Sequence, residues 1–330
     1  APLTGILPML QDTGFIVAGF VLLFLGGEGL VRGSVAVAEK LGLSKLLIGL
    51  TVVAFGTSTP ELLVSVNAAL GGAPDIALGN VVGSNIANVL LILGIAAVIT
   101  PIAGWQRTAM RDAVVMSVAS LALFGLTFGN IIGLIEGAGL FAALLAYLAV
   151  SYWLERRGRP SRQHEHETEE FEGVATQSVW IAAAFVIGGI LALMLGADLL
   201  VRGAVSIART FGVSDAVIGL TLVAIGTSLP ELATSIVAAW KRHSDVVLGN
   251  VIGSNIFNIL AILGITALVT PIPVGPQFRV LDVPLMLGVS VLVVLLLVAT
   301  KRIGRGVGLA MLAAYTAYLA WQFTTGGVTV

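Results

Sequence analysis

The sequence predicts an all-α polytopic membrane protein, with ten transmembrane helices arranged as two inverted five-helix repeats. Composition is the first reason: of the 330 residues, 57% are hydrophobic and 11% charged, and the mean hydropathy is +1.03. A soluble domain is about 25% charged. An internal repeat is the second reason, and the odd number of apolar segments in each copy is the third. A helix needs about 20 apolar residues to span a bilayer, so the chain has room for roughly ten spans.

The internal repeat relates residues 28–102 to residues 198–272 at a constant offset of 170, without a gap. Of the 75 aligned positions, 42 are identical. The most similar stretches are GLTVVAFGTSTPEL (49–62) with GLTLVAIGTSLPEL (219–232), and LGNVVGSNIANVL (78–90) with LGNVIGSNIFNIL (248–260). Matched proline, glutamate and asparagine residues are not what chance supplies in apolar sequence. Each half is therefore one evolutionary unit.

Five apolar segments occur in each half, and each predicts one span. They lie near 13–32, 44–70, 76–99, 110–128 and 131–154, and again near 177–202, 214–240, 246–270, 281–300 and 306–324. Because five is odd, the second half enters the membrane in the opposite orientation. Inverted repeats of this kind recur in secondary transporters, with the site between the halves at the bilayer midplane.

The predicted domains are a first repeat (1–154), a polar linker (155–176) and a second repeat (177–330). The linker includes the acidic and histidine-bearing run HEHETEEFE at 164–172. A regulatory cation site in this run is conceivable, but such a charge run is more typical of a solvated connection between two halves.

The basic residues predict the orientation. With an external N-terminus, the loops after the odd-numbered spans carry 13 Lys and Arg residues: Lys40, Lys45, Arg107, Arg111, Arg156, Arg157, Arg159, Arg162, Lys241, Arg242, Lys301, Arg302 and Arg305. The opposite side carries two, Arg209 and Arg279. Basic loops remain cytoplasmic, so we expect a cell-membrane protein with both termini outside and the 155–176 linker in the cytoplasm.

Two glutamates at predicted membrane depth are the main functional signal. Glu61 lies in an apolar stretch from Leu46 to Leu70, and Glu231 in the equivalent stretch of the second half. An ionisable group in the bilayer costs several kcal/mol and marks a functional site by default. The alternative is a carboxyl that is paired with a structural arginine or kept protonated, but no basic residue is near either glutamate in sequence.

The proline before each glutamate predicts an interrupted helix. Pro60 has no N–H for the carbonyl of Gly56, and it disfavours the helical conformation at Thr59. We therefore expect unbonded carbonyls before Pro60 and, equivalently, before Pro230. Their residues are Ala54, Gly56, Thr57, Ala224, Gly226 and Thr227. A simple proline kink is the alternative.

Helical spacing places further polar residues beside the glutamates. Residues four apart share a helix face, which aligns Thr57, Glu61 and Ser65, with Ser58 flanking, and on the next span Asn80, Ser84 and Asn88. The second half repeats both stripes as Thr227, Glu231, Ser235 with Ser228, and as Asn250, Ser254, Asn258. Carboxylate, amide, hydroxyl and carbonyl oxygens suit Ca²⁺ and Na⁺ rather than zinc or copper. For the serines and asparagines alone, interhelical hydrogen bonding is an equal alternative.

Several classes of function are disfavoured. The chain has no cysteine, and we find no nucleophile motif, phosphate-binding loop or nucleic-acid-binding pattern. We expect no enzyme activity, no cofactor and no obligate protein partner. The bilayer is the expected surrounding.

The two motif pairs resemble the α-repeats of the sodium/calcium exchanger family, in the calcium/cation antiporter superfamily. These are GTSTPEL with GNVVGSNIANVL, and GTSLPEL with GNVIGSNIFNIL. The short linker, without a large calcium-sensing domain, resembles prokaryotic members. The resemblance implies ten helices, alternating access with spans 1 and 6 as gates, and electrogenic exchange of about three Na⁺ for one Ca²⁺, both transported as substrates.

By matching motif positions, the resemblance also implies a set of cation ligands. Glu61 and Glu231 would supply the carboxylates. The other ligands would be Thr57, Ser58, Thr227, Ser228, Ala54, Ala224, Ser84, Asn88, Ser254 and Asn258.

Asn258 departs from part of the family. Some relatives, including the potassium-dependent branch, have an aspartate at this position, so Asn258 argues against potassium co-transport. A proton-coupled calcium antiporter is the main alternative, although that branch tends to carry a GNxxE-type motif instead of GTSxPE. A calcium channel, which would use similar oxygens, is less favoured.

Overall fold

A computed structural model of the chain describes residues 3–42, 45–72, 74–103, 107–157, 178–210, 224–300 and 302–325. Most of these residues are helical, in agreement with the predicted all-α class. The α-helices, numbered in chain order, are α1 (Leu3–Leu41), α2 (Lys45–Ile48), α3 (Ala54–Thr57), α4 (Thr59–Leu70), α5 (Pro74–Ala87), α6 (Gly94–Ile99), α7 (Arg107–Leu126), α8 (Leu134–Arg157), α9 (Val179–Thr210), α10 (Ala224–Thr227), α11 (Leu229–Trp240), α12 (Ser244–Phe257), α13 (Gly264–Val269), α14 (Val283–Ala299) and α15 (Arg305–Thr325).

Shorter elements join these helices. Within the described ranges, π-helical segments cover Gly49–Val53, Asn88–Leu93, Asn258–Leu263 and Phe278–Asp282, and a 3₁₀ turn covers Thr127–Gly129. Two-residue strands, which the sequence did not predict, are β1 (Ile102–Ala103), β2 (Ile131–Ile132), β3 (Ile272–Pro273) and β4 (Arg302–Ile303). β1 pairs with β4 and β2 with β3, both antiparallel. Each two-stranded sheet thus joins a loop of one half to a loop of the other.

Element boundaries repeat between the halves at the offset of the sequence repeat. Helices α3 to α6 begin and end 170 residues before helices α10 to α13, and the π-helical segments at Asn88 and Asn258 are related in the same way. Residues 211–223, which would complete the comparison with the π-helical segment Gly49–Val53, lie outside the described ranges, as does most of the predicted 155–176 linker. The repeat in the sequence is therefore also a repeat in the secondary structure.

Seven helical stretches in the described part of the chain are long and apolar enough to span a membrane. The bent pair Gly49–Thr57 and Thr59–Leu70, with 49° between its parts, makes up to eight. The predicted count of ten spans and the inverted orientation of the repeats stay predictions.

Two of these stretches form the centre of the molecule. In Ile76–Ile99 and Ser244–Val269, 72% and 89% of the most apolar window is buried, against 22–39% in the other five. The outer helices expose large apolar side chains, such as Phe20, Ile135 and Trp180. Such broad apolar exposure suits contact with lipid. The predicted polar stripe of Asn80, Ser84 and Asn88 and its equivalent of Asn250, Ser254 and Asn258 therefore lie on these two most buried stretches.

Helices α1 and α9 are longer than the apolar segments 13–32 and 177–202 that predicted them. At the end of each apolar segment, an ion pair joins residues four apart, Glu28–Arg32 in α1 and Asp198–Arg202 in α9, and such pairs stabilise a helix. The two helices pack closely because glycines at seven-residue spacing face the other backbone. A Cβ added at Gly189 would lie 2.6 Å from the Leu30 nitrogen, and one at Gly26 would lie 2.8 Å from the Leu193 nitrogen.

Candidate cation-binding site

The predicted helix break is present in both halves, one residue earlier than expected. Ser58 (φ −85°, ψ 6°) separates α3 from α4, and Ser228 (φ −88°, ψ 6°) separates α10 from α11. The expectation that Thr59 leaves the helical conformation is wrong, because Thr59 is the first residue of α4. Each proline lies in the first helical turn, where a backbone N–H has no intrahelical partner to lose. The proline therefore starts a new helix and places the following glutamate in its first turn.

The expected release of the Ala54 carbonyl is also wrong for this conformation. Ala54 accepts the Ser58 N–H at 3.0 Å, whereas the equivalent Ser228 N–H donates to the Ile225 carbonyl at 3.1 Å. The two halves therefore differ at this point. The Thr57 hydroxyl also lies 3.3 Å from the Ala54 oxygen, so both lone pairs of this carbonyl face a donor in this conformation. The side chain of Ala224 lies outside the described part of the structure.

The two glutamates meet between the halves, and each accepts a hydrogen bond from the serine that precedes the other glutamate. The Ser58 hydroxyl donates to Glu231 Oε1 at 2.8 Å, and the Ser228 hydroxyl lies 3.3 Å from Glu61 Oε1. Ser228 also lies 3.4 Å from the Ser84 hydroxyl. The structure thus brings both halves of the predicted ligand set to one place.

This place is dry and lacks a positive charge. Glu61 and Glu231 are 1% and 2% exposed, and the ion pairs found between described residues include neither. The second oxygen of each carboxylate, Oε2, has no hydrogen-bond partner. An uncompensated buried carboxylate is strongly unfavourable, and two side by side more so. Among the described residues, no arginine pairs with either glutamate. A bound cation would offset the charge of both.

The other predicted site residues that the structure describes are also buried. The described ones at most 8% exposed are Ala54, Thr57, Ser58, Ser84, Asn88, Thr227, Ser228, Ser254 and Asn258. Among the described residues, no three His, Asp or Glu side chains lie together. Neutral oxygens would therefore have to supply most of the ligands.

Asn80 and Asn250, which the predicted ligand set omitted, hold the broken helices in place. The Asn80 amide donates to the Glu61 carbonyl (3.2 Å) and to the Ser65 hydroxyl (3.0 Å), and its oxygen lies 3.4 Å from the Thr227 hydroxyl. Asn250 makes the equivalent contacts with Glu231 (3.1 Å), Ser235 (2.9 Å) and Thr57 (3.3 Å). Their recurrence at the 170-residue offset was the available signal. These contacts resolve the open alternative for Asn80 and Asn250 in favour of interhelical hydrogen bonding.

Asn88 and Asn258 lie one turn from Ser84 and Ser254, each as the first residue of a π-helical segment. Single π-helical turns are frequent at functional sites. Their amides donate across the halves, Asn88 to Asn255 Oδ1 and Asn258 to Asn85 Oδ1, both at 2.9 Å. The oxygens of Asn88 and Asn258 are buried and unpartnered. Asn85 and Asn255 were not predicted as site residues, although they recur in the repeat.

Comparison with known proteins assigns the family. The model of the sodium/calcium exchanger protein family matches residues 12–153 and 181–324. The chain belongs to the sodium/calcium exchanger family. The two matched ranges cover most of both halves and leave out the predicted linker. Family membership confirms the resemblance found in the repeated motifs, and it makes the chain a multi-pass membrane protein of a transporter family.

Individual relatives span the whole chain. It is 36% identical to the putative antiporter CaxA of Alkalimonas amylolytica, over 96% of this chain and 100% of that protein. It is 32% identical to the sodium/calcium exchanger MaX1 of Methanosarcina acetivorans, over 93% of this chain and 97% of that one. Among solved structures, it matches the sodium–calcium exchanger NCX_Mj soaked with Na⁺ and Sr²⁺, with a TM-score of 0.81 and 33% identity over 94% and 98% of the two chains.

Proposed function

We propose that this protein exchanges Na⁺ for Ca²⁺ across the cell membrane by alternating access, at one site between Glu61 and Glu231. The observation that carries the proposal is the reciprocal pairing of two buried glutamates from different halves, with an unbonded oxygen on each and no basic partner among the described residues. Family membership supports the same function.

The charge of the site explains why the two ions would compete. Two carboxylates offset one Ca²⁺, and they would equally attract several Na⁺ ions. Both cations prefer oxygen ligands, so occupancy by one excludes the other. The remaining proposed ligands are the hydroxyl, amide and carbonyl oxygens of Thr57, Ser58, Ser84, Asn88, Thr227, Ser228, Ser254, Asn258, Ala54 and Ala224. With about three Na⁺ per Ca²⁺, each cycle would move one net positive charge.

The proposed topology has ten spans in two inverted repeats, with both termini outside and the linker cytoplasmic. Strand pairing supports it, because paired strands must lie on the same side of a membrane. β1 and β4 follow the predicted spans 3 and 9, and β2 and β3 follow spans 4 and 8. Two odd-numbered loops pair with each other, as do two even-numbered loops.

Calcium uptake into proteoliposomes tests the function. We expect vesicles loaded with Na⁺ to accumulate Ca²⁺ only while the outward sodium gradient lasts, and faster at an inside-positive potential, which draws the net charge outward with Na⁺. Vesicles loaded with choline at matched pH are the control. Equal uptake from choline-loaded vesicles would contradict sodium coupling. Uptake that follows an imposed pH gradient would indicate the proton-coupled alternative, and uptake without any counter-ion would indicate a channel.

A further inference from the structure

Asn85 and Asn255 form a buried pair between the halves that the proposed ligand set does not use. Both are fully buried, at 0% exposure, and each follows a serine of that set, Ser84 or Ser254. Their side chains contact the opposite half of the chain. A polar group placed so deeply requires hydrogen-bond partners, and the partners of these two identify their role.

The oxygen of each asparagine accepts from a proposed cation ligand of the other half. Asn258 donates its amide hydrogen to Asn85 Oδ1, and Asn88 donates to Asn255 Oδ1, both at 2.9 Å. An amide has a donor end and an acceptor end. Because the NH₂ group of Asn258 donates to Asn85, the Oδ1 atom of Asn258 is left for another partner.

The orientation of Asn85 and Asn255 is itself fixed. The Asn85 amide nitrogen donates to the backbone carbonyl of Asn255 (3.4 Å) and to the sulfur of Met286 (3.4 Å). The Asn255 nitrogen donates to the backbone carbonyl of Asn85 (3.2 Å) and to the sulfur of Met116 (3.5 Å). Turning either amide over would place its oxygen against a carbonyl and its nitrogen against another donor. The hydrogen bonds from Asn258 to Asn85 and from Asn88 to Asn255 therefore each have one stable donor-to-acceptor direction.

The donor-to-acceptor direction of these hydrogen bonds matters because it determines which atom of Asn88 and Asn258 stays without a partner. Asn88 Oδ1 and Asn258 Oδ1 are buried without a hydrogen-bond partner, as are the second oxygens of Glu61 and Glu231. Asn258 lies one helical turn beyond Ser254, whose buried hydroxyl is also without a hydrogen-bond partner. Buried oxygens without a hydrogen-bond partner are unfavourable unless a ligand binds them. In the opposite orientation, each amide would present its NH₂ group and repel a cation.

We propose that Asn85 and Asn255 are positioning residues that fix the carbonyl end of Asn258 and Asn88 toward the transported cation. This inference rests on the proposed cation site. Asn85 acts through Asn258, and Asn255 through Asn88, so each half orients a ligand of the other. The pair lets two neutral amides serve as cation ligands, which a freely turning amide would do poorly.

Ca²⁺ binding by the purified protein tests the inference through a double-mutant cycle. We expect Asn85→Leu, which removes the acceptor and keeps the branched shape of the side chain, to weaken Ca²⁺ binding about tenfold. A loss of this size corresponds to one lost hydrogen bond. Asn258→Ala should weaken it at least as much. The double variant should then bind Ca²⁺ like Asn258→Ala alone, because Asn85 has nothing left to orient. Kd is measured by isothermal titration with CaCl₂.

Matched variants separate positioning from stability and from the site itself. Ser290→Ala removes another buried bond between the halves, the Ser120–Ser290 hydroxyl pair at 3.0 Å. It should lower the melting temperature without changing Kd. Glu61→Gln should abolish Ca²⁺ binding. If it binds Ca²⁺ normally, the proposed site is wrong and the inference falls with it.

The positioning role alone is contradicted if Glu61→Gln abolishes binding while Asn85→Leu stays within twofold of the wild-type Kd. It is also contradicted if the losses in the double variant add. Where Asn85→Leu does not purify as a single species, Asn85→Ala and Asn255→Leu replace it, the latter in a cycle with Asn88→Ala. The same changes in Kd then support or contradict the positioning role.

Discussion

At the level of single residues, the site combines two full negative charges with neutral oxygens that are held in fixed orientations. The charges are Glu61 and Glu231, and each is bonded to a serine of the other half. No described basic side chain shares them. The affinity for a divalent cation should therefore depend on both carboxylates together, because one alone leaves a net positive charge in a dry environment.

Neutralising either glutamate should abolish calcium transport without unfolding the protein. In Glu61→Gln or Glu231→Gln, half of the charge that offsets Ca²⁺ is lost, while the volume of the side chain stays the same. Sodium-driven Ca²⁺ uptake should fall at least a hundredfold, and gel filtration should show an unchanged peak. Glu39→Gln is the matched control, because Glu39 is exposed at the end of α1. Near-normal uptake in either site variant would contradict the site.

Asn258 predicts that wild-type transport is indifferent to potassium. The residue is neutral and its amide is committed to Asn85, so the site has no third negative charge to hold a second monovalent ion beside Ca²⁺. Exchange measured with and without K⁺, at clamped voltage, should give the same rate. Asn258→Asp is the comparison variant, since it adds the missing carboxylate. A potassium requirement in the wild type would contradict the interpretation that a neutral Asn258 excludes potassium co-transport.

Sequence reasoning identified equivalent residues, and the structure was needed to show which ones touch. Glu61 and Ser58 were predicted because polar residues at membrane depth recur at a fixed offset. That Ser58 contacts Glu231 and not Glu61 could not be predicted, since a repeat gives equivalence but no distances. The roles of Asn85 and Asn255 were missed for the same reason. Their importance lies in the direction of a hydrogen bond, which sequence does not record.

At the level of elements, the proline of each half begins a helix. The break at Ser58 gives a bend of 49° between Gly49–Thr57 and α4, and it places Glu61 in a first helical turn. A helix N-terminus stabilises negative charge nearby. The predicted break was correct in position to one residue, whereas the predicted state of the Ala54 carbonyl was wrong, because the Ser58 N–H still reaches it.

Close packing of α1 against α9 should depend on single glycines. Gly189→Ala would put a Cβ 2.6 Å from the Leu30 nitrogen, and such overpacking costs about 1–3 kcal/mol. The gain in helix propensity is about 1 kcal/mol. The melting temperature in detergent should therefore fall. Gly188→Ala is the control, because nothing lies within 4 Å of its added Cβ; that variant should be neutral or more stable. Equal melting temperatures for the two would contradict the close packing.

At the level of the whole molecule, the two small sheets give a direct test of the topology. Ala103 pairs with Arg302, and Ile131 with Pro273. Partners in an antiparallel pair are about 4.5–5.5 Å apart between Cα atoms, which suits a disulfide. Because the chain has no cysteine, Ala103→Cys with Arg302→Cys should crosslink on oxidation, and so should Ile131→Cys with Pro273→Cys. Ala103→Cys with Pro273→Cys is the control that should not.

Accessibility completes this test. In right-side-out vesicles, an impermeant thiol reagent should block the introduced thiols at positions 131 and 273 and leave those at positions 103 and 302 unmodified. Modification of both pairs from one side would contradict the inverted topology. The loop pairing could not be predicted from the sequence, because two-residue strands have no periodicity to detect.

The reciprocal bonds between the halves also constrain how such a chain can have arisen. Ser58 with Glu231 mirrors Ser228 with Glu61, and Asn258 with Asn85 mirrors Asn88 with Asn255. In an ancestor of half the length, the same contacts would join identical residues of two copies inserted in opposite directions. Gene duplication and fusion would then preserve a working interface from the first generation. Only afterwards could the halves diverge, as they have at Ser58 and Ser228, whose N–H groups donate to the carbonyls of Ala54 and Ile225.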